Sequence, residues 1–277
     1  MHYDTLVYAL GSTTDTGIVP GAAEHAWTLD DPRLARDFSK RLAETAAAAG
    51  TVTVCGGGLT GIEAAAEIAE AHPGVTVNLI SATEPGAMMG DKARRYMNRV
   101  LDELGVVRTV GTKVTKVLPD AVHLDNGDTI ASDLILWTTG VKVAPLAARA
   151  GIATDARGLI VTDATLRSIS HPDIHAIGDA ALVRQAWGQL HGTCQSGVVT
   201  ADYTASVIDQ LLRGKPVRPT RSRSAAPRRS PPSSAATSNC RCSCRRAAAR
   251  LARRREAQVS RIAVDRTPAS RHGRITT

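Results

Sequence analysis

Three glycines, Gly56, Gly58 and Gly61, stand between a β-branched apolar run and a helical pattern. Their G-x-G-x-x-G spacing is typical of loops that bind the pyrophosphate of a dinucleotide. The first glycine permits a tight turn, the second lets backbone N–H groups approach the phosphates, and the third lets the helix pack on the strand. The N-terminus of that helix adds unpaired amides and the positive end of a dipole. The pattern predicts a dinucleotide site, with a purely structural turn as the alternative.

The segments around these glycines predict a compact βαβ unit. Strands are expected at 51–54 and 75–80, with a helix at 60–71 and a break at 72–74. In such a unit the turn lies at the carboxyl end of the first strand, where the helix begins. The sequence therefore places the glycines where a bound phosphate would meet the helix.

Three polar residues near the glycines bear on which dinucleotide binds. Glu63 is expected to face either the nicotinamide or solvent, where the helix dipole favours an acid. An acid at the end of the second strand normally holds the ribose 2′-hydroxyl, but this strand ends at Ser81. Serine can donate to a 2′-phosphate, whereas Glu84 is close enough to bind the hydroxyl. The pattern leaves NADH and NADPH open.

The hydrophobic period changes along the chain and separates an α/β unit from a small β meander. Asp31 and Pro32 predict the start of a helix that stops at Gly50. Asn126 and Gly127 predict a type I′ hairpin turn within the meander. The other predicted elements are strands at 2–9, 113–117, 121–124, 129–130, 134–138, 159–161 and 174–177, and helices at 91–104 and 198–212.

Charge divides the chain into two parts. The net charge is +8, but residues 215–277 hold 17 Lys and Arg against two acids, and residues 1–214 hold 17 basic and 24 acidic side chains. The segment 215–277 also lacks Phe, Trp and Tyr, so it cannot bury enough apolar surface to offset its ordering entropy, and we expect disorder. A nucleic-acid-binding arm is the alternative for this segment, but accidental composition explains it better, so no specific nucleic-acid partner is expected.

Cysteine spacing and hydropathy exclude several classes of protein. There are five cysteines and no C-x-x-C, which argues against a dithiol redox centre or a disulfide framework. The C-x-C-x-C at 240–244 lacks the usual zinc spacing, so no metal is expected. No apolar run approaches the roughly 20 residues of a membrane span, and we expect a cytoplasmic protein. Peripheral contact with the inner face of the cell membrane is compatible with this.

Four motifs occur in an order that resembles a known family. They are the strand with its glycine at 3–12, the glycine turn at 56–63, the strand end at 137–140, and the run from 165–168 to 174–181. Together they resemble the pyridine nucleotide-disulfide oxidoreductase superfamily, in particular the branch of type II NADH dehydrogenases and related quinone or ferredoxin reductases. The resemblance covers residues 1 to about 214. It implies an α/β fold with two Rossmann-like dinucleotide-binding domains and the cofactors FAD and NAD(P)H.

The resemblance also implies roles for individual residues. Asp179 would accept a hydrogen bond from the flavin ribityl chain, with Gly178 allowing close approach; a helix N-cap is the alternative for this aspartate. Gly11 and Gly140 would pass near the cofactors where the chain crosses between domains. The turn 191–196 would lie near the flavin ring, with Cys194 and Gln195 as candidates there; simple packing is the alternative for Cys194. No catalytic residue is predicted.

The resemblance implies a division of the chain and an expectation about its ends. Residues 1–49 would be the end of the first FAD segment with a connecting helix, 50–136 the NAD(P) domain, 137–214 the second FAD segment, and 215–277 the basic tail. The family places a flavin-binding glycine motif before a strand like 3–9 and an aromatic-containing domain after 214. We therefore expect a truncated flavin domain and a tail that results from a shifted reading frame.

Two functions follow from these observations. The first is an FAD-dependent NAD(P)H oxidoreductase that passes hydride from nicotinamide to flavin and electrons to a quinone, another small acceptor or a redox protein, impaired by truncation. The second is a non-catalytic NAD(P)-binding fragment without flavin.

Overall fold

The computed structural model of the chain describes residues 3–185, 188–189 and 193–217. The strands are β1 (Leu6–Tyr8), β2 (Thr13–Thr14), β3 (Thr51–Cys55), β4 (Thr76–Ser81), β5 (Val107–Val110), β6 (Val114–Val117), β7 (Ala121–Leu124), β8 (Thr129–Ala131), β9 (Leu134–Trp137), β10 (Val141–Lys142), β11 (Ile160–Val161), β12 (Ile174–Ala176), β13 (Ala181–Leu182), β14 (Arg184–Gln185) and β15 (Gly188–Gln189). The helices are α1 (Ala22–His25), α2 (Pro32–Ala47), α3 (Leu59–Ala71), α4 (Asp91–Glu103), α5 (Leu146–Arg149) and α6 (Cys194–Leu212), with 3₁₀ turns at Thr16–Ile18 and Gly178–Ala180.

A four-stranded parallel sheet forms the middle of the molecule, in the order β5-β4-β3-β9. The βαβ unit predicted around the glycines is present as β3, α3 and β4. All four strands are parallel, so their carboxyl ends lie at one edge of the sheet. The glycine turn follows β3 at that edge.

The middle sheet is covered on both faces, and alternate side chains enter different layers. On one face Val54, Leu79 and Leu136 pack against α2, α3 and α4. On the other face Ile135 and Trp137 pack against the antiparallel meander β6-β7-β8. The result is three layers: helices, parallel sheet and meander. The buried ends of β3 and β9 hold the glycine turn in place.

A second group of strands joins the two ends of the described chain. β1 pairs in parallel with β12, and β11 pairs in parallel with β13. Tyr8, Ile160 and Ile174 lie in the core of this region. Strand β2 pairs antiparallel with β10, so the two segments of chain that connect these groups of strands run side by side.

The predicted type I′ turn at Asn126–Gly127 is wrong. A type I′ turn needs positive φ at both central residues, but only Gly127 has one, at 90°. The Gly127 N–H donates to the Leu124 carbonyl, and the Leu124 N–H donates to the Asp128 carbonyl. This is a three-residue loop with a left-handed glycine at a bulge. The Asn126 side chain stabilises it through hydrogen bonds with Asp128.

Several predicted element bounds also differ from the structure. Helix α2 ends at Ala47, and the left-handed residue that follows is Ala49 rather than Gly50. The first strand spans three residues instead of eight, and α6 starts four residues earlier than predicted, because Thr193 caps it. Strand β5 was not predicted. The cysteines at 240–244 and all but three residues of the segment 215–277 lie outside the described residues.

Candidate functional site

The glycine turn after β3 is built by close backbone contacts that only glycine permits. Gly56 has φ +132°, and a Cβ added there would lie 2.6 Å from the Thr138 hydroxyl. A Cβ at Gly61 would lie 1.8 Å from the Gly56 carbonyl oxygen. Helix α3 therefore packs directly on the turn, as the first and third glycines of the pattern require.

Gly58 differs from its two neighbours in the pattern, because a Cβ added there would contact nothing within 4 Å. It is the N-cap of α3 and, like Gly90 at the start of α4, offers no side-chain cap, whereas Asp31 caps α2 and Thr193 caps α6. The first amides of α3 thus remain without a side-chain acceptor. Open space in front of an uncapped helix N-terminus suits a phosphate group.

The polar residues near the turn differ in accessibility. Ser81 is 6% exposed at the end of β4, and its hydroxyl lies 2.0 Å from the position a Cβ at Gly57 would take. Glu84 is exposed in the following loop, which bonds back to the turn through Gly86 N–H and the Gly57 carbonyl. Glu63 is exposed in the second turn of α3. The exposed carboxylate of Glu84 is thus more accessible to a ribose than the buried hydroxyl of Ser81.

A second constellation lies where β1 and β12 end. The Ser12 hydroxyl donates a 2.7 Å hydrogen bond to the Asp179 carboxylate. Asp179 lies inside the 3₁₀ turn Gly178–Ala180, whose N-cap is Ile177 without a side-chain bond, so Asp179 is not an N-cap. Gly178 has φ +63°, and its N–H donates to the Thr200 hydroxyl. This places one carboxylate at the carboxyl edge of a parallel pair, with Ser12 bonded to it and Thr200 bonded to the neighbouring backbone amide.

The other two predicted glycines have different surroundings. Gly11, with φ +63°, has nothing within 4 Å of an added Cβ. Gly140, with φ +77°, is covered, because an added Cβ would lie 2.6 Å from Ile18 and 3.1 Å from the Asp15 carbonyl oxygen. Gly11 therefore leaves room for a ligand, whereas Gly140 lets its segment of chain pass close to Asp15.

The two described cysteines have opposite environments. Cys194 is exposed at the start of α6, so it does not pack in a core. Thr193 and Ser196 form a capping box there, which occupies the Ser196 amide. Cys55, at the end of β3, is buried, and burial raises the pKa of its thiol to about 12. Cys55 is therefore a protonated packing residue and not a nucleophile at neutral pH.

Ser12, Thr138 and Thr200 hold the predicted residues in place but were not among them. Ser12 follows Gly11, Thr138 directly follows β9, and polar residues beyond the carboxyl ends of parallel strands are a signal for such roles. Thr200 carries no such signal, because it lies inside α6 and only the fold brings it to Gly178.

These features fit the two cofactors that the sequence analysis expected. The uncapped end of α3 and the space at Gly58 fit the pyrophosphate of NAD(P)H. Asp179, with Gly11 and Gly178 beside it, offers an acceptor to a hydroxyl of a flavin chain. Among the described residues no group of His, Cys, Asp and Glu could hold a metal ion. No helix in the described part of the chain is long and apolar enough to cross a membrane.

The parallel sheet with its glycine turn and helix defines the Rossmann-like class of α/β proteins. Residues 1–199 match the family described as pyridine nucleotide-disulphide oxidoreductase. The chain belongs to this family.

Curated relatives are named as dehydrogenases or reductases. An NADH dehydrogenase-like protein of Mycobacterium tuberculosis is 32% identical over 227 residues, with 76% of this chain and 57% of the relative covered. A demethylphylloquinone reductase of Synechocystis is 31% identical over 228 residues, covering 79% and 56%. The chain thus spans a little over half the length of these two relatives.

Solved structures show the same fold. A ferredoxin reductase of Rhodopseudomonas palustris is similar with a TM-score of 0.66 and 24% identity, covering 79% of this chain and 54% of that one. An NAD-dependent persulfide reductase of A. fulgidus gives a TM-score of 0.67 and 23% identity, covering 79% and 41%. Both likenesses concern the fold alone.

Proposed function

We propose that the chain binds NAD(P)H at the turn after β3 and belongs to an FAD-dependent NAD(P)H oxidoreductase that reduces a quinone. The bound cofactors would supply the redox chemistry, a hydride transfer from nicotinamide to flavin followed by electron transfer to the acceptor. The observation that carries the proposal is the contrast among the three glycines. Gly56 and Gly61 are closed by backbone contacts, while Gly58 faces open space at an uncapped helix.

The residues of the turn would bind and orient the dinucleotide. Amides at the start of α3 would donate to the pyrophosphate, and the helix dipole would add to the attraction. Glu84 would accept from a ribose 2′-hydroxyl and would repel a 2′-phosphate, which favours NADH over NADPH. Glu63 would lie on the exposed side of the same helix and face the nicotinamide end.

Asp179 would hold the flavin. Its carboxylate is fixed by Ser12, and Gly178 is fixed by Thr200, so the acceptor would be in place before the cofactor arrives. Preorganised groups of this kind reduce the entropy lost on binding. A division of the chain at 49, 136 and 214 would put Ser12 and Asp179 in two segments of one flavin domain.

The acceptor is proposed from the names of relatives. The Synechocystis relative is named for demethylphylloquinone, and a 29% identical Arabidopsis relative is named for ubiquinone. A quinone would be the small-molecule partner, and the site would be reached from the cytoplasm or the inner face of the cell membrane. A redox protein would be the alternative acceptor.

Titration of residues 1–277 with NADH and with NADPH tests the binding step. We expect NADH to bind with a dissociation constant below about 1 mM, and more tightly than NADPH; absence of binding would remove the proposal. NADH oxidation with a soluble quinone, with and without added FAD, tests the chemistry. Binding without FAD-dependent turnover would support the alternative, a non-catalytic NAD(P)-binding module.

A further inference from the structure

Thr138 lies at the centre of the glycine turn although it belongs to another strand. It follows β9 directly, and its N–H donates to the Cys55 carbonyl oxygen at 2.9 Å. Its hydroxyl oxygen lies 3.1 Å from the Cys55 carbonyl oxygen and 3.4 Å from that of Gly56. One hydroxyl proton is thus shared between two consecutive carbonyl groups of the turn.

The same hydroxyl lies between the first and third glycines of the pattern. A Cβ at Gly56 would lie 2.6 Å from it, and a Cβ at Gly61 would lie 2.7 Å from it. The oxygen therefore touches both the strand end and the first turn of α3. Removing it would leave a gap at the point where strand and helix approach most closely.

The contact between Thr138 and the Gly56 carbonyl also determines the direction of the Gly57 N–H. In a planar trans peptide the carbonyl oxygen and the N–H of the next residue point in opposite directions. Since the Gly56 carbonyl turns toward Thr138, the Gly57 N–H points away from it. Among the described residues no acceptor is recorded for that N–H, while the Gly57 carbonyl is held by Gly86.

We propose that Thr138 is a positioning residue for the dinucleotide pyrophosphate, through its hydroxyl bonds to the carbonyls of Cys55 and Gly56. It holds the turn so that the amides of Gly57 and of the start of α3 converge on one anion. This inference rests on the proposed dinucleotide function. It extends the site to a side chain that contacts the turn on the side of its carbonyl groups, opposite the proposed pyrophosphate, and that does not contact the ligand.

The test compares Thr138→Val with Thr138→Ser in the full chain. Valine keeps the shape and removes the donor, and a hydrogen bond of this kind is worth about 1 kcal/mol, which corresponds to a fivefold change. Calorimetric titration should show NADH affinity reduced about five- to tenfold in Thr138→Val. Thr138→Ser should restore affinity to within about twofold, since serine keeps the hydroxyl.

ADP-ribose shows which part of the ligand the Thr138 hydroxyl acts on. It carries the pyrophosphate without the nicotinamide, so Thr138→Val should weaken NADH and ADP-ribose by the same factor. The matched control is Thr45→Val, which removes another hydroxyl bonded to a backbone carbonyl, that of Arg41, in a residue that is 4% exposed. Thr45→Val should lower the melting temperature and leave NADH affinity unchanged.

Three outcomes would overturn the inference. They are unchanged NADH affinity in folded Thr138→Val, an equal loss in Thr45→Val, and a loss for NADH that ADP-ribose does not share. If Thr138→Val does not fold, Thr138→Ala takes its place in the same comparison. If the unaltered chain binds neither NADH nor ADP-ribose, the proposed function fails first and this inference fails with it.

Discussion

The Ser12 hydroxyl donates a 2.7 Å hydrogen bond to the Asp179 carboxylate across 167 positions of the chain. The parallel pairing of β1 with β12 brings the two residues together, because each follows its strand at the same edge. A carboxylate that would bind a flavin is thus oriented by a residue from the other end of the described chain. This bond couples the integrity of the strand pair to the geometry of the candidate flavin site.

Replacing Ser12 with alanine should therefore destabilise the β1–β12 region. Hydrogen bonds to charged groups contribute about 1.5–3 kcal/mol, and partial exposure of both residues reduces this to about 1 kcal/mol. Urea denaturation should show the loss. Thr13→Ala is the matched control, since Thr13 is exposed and its side chain makes no hydrogen bond to another described residue. Equal stability of Ser12→Ala and Thr13→Ala would contradict the prediction.

A bulky residue at Gly58 should abolish nucleotide binding without unfolding the protein. The backbone at Gly58 has φ −74° and ψ 177°, which any residue adopts, and an added Cβ meets no protein atom. Gly58→Val should therefore keep the helical circular dichroism signal while its side chain blocks the pyrophosphate.

Gly74→Val is the control at the opposite end of α3, because an added Cβ there also contacts nothing. It should keep both fold and affinity. NADH titration of the two variants checks the prediction, and unchanged binding by Gly58→Val would remove the site from this turn.

The start of α2 and the βαβ unit that follows it were predictable because local signals agree there. Asp31 and Pro32 mark the start of α2, and the glycine spacing marks the junction of β3 with α3; both predictions are confirmed. The buried strand at 134–137 was predictable from its continuous apolar run. In each case composition within a few residues determines the local structure.

Long-range contacts could not be predicted from local signals. The partners of Asp179 and Gly178 are Ser12 and Thr200, which only the pairing of distant strands and α6 brings near. Strand β5 is short and half exposed, and its pairing with β4 determines its structure. The loop at Asn126 differs from the prediction because two dihedral patterns accept the same Asn-Gly sequence.

The open side of β1 should promote self-association. Leu6 N–H donates to the Asp173 carbonyl and Tyr8 accepts from Ile177 N–H, so the Val7 backbone groups face away from β12. Within the described ranges β1 pairs with no other strand, and Val7 is 40% exposed. An exposed apolar edge strand is a site of aggregation, which a lysine counters.

Val7→Lys should therefore reduce the self-associated fraction in sedimentation velocity at high protein concentration. Val141→Lys is the matched control, since Val141 is 74% exposed on the two-residue strand β10 and offers no comparable edge. A similar reduction in both variants would show that general surface polarity, rather than the β1 edge, controls association.

His175 should make the protein sensitive to mild acid. It lies on β12 with 1% exposure, and its Nδ1 atom has no hydrogen-bond partner within the described part of the chain. Burial, with the nearby Arg167 charge, holds the pKa of this ring below its usual 6.5. The unfolded state therefore binds more protons than the folded state once the pH falls below about 6.5. The free energy of unfolding should be constant above that pH and decrease below it, until the folded pKa is passed.

Urea denaturation at several pH values between 5 and 8 measures this effect. The free energy of unfolding should decrease as the pH falls below about 6.5, with a slope of at most about 1.4 kcal/mol per pH unit for this one group. His175→Gln should remove most of it, since glutamine does not titrate, whereas the exposed His25→Gln should keep it. The pKa values of Asp125, Asp155 and Asp163 are lowered by their hydrogen bonds, so these groups act only below about pH 4. An unchanged slope in His175→Gln would show that another group controls stability in this window.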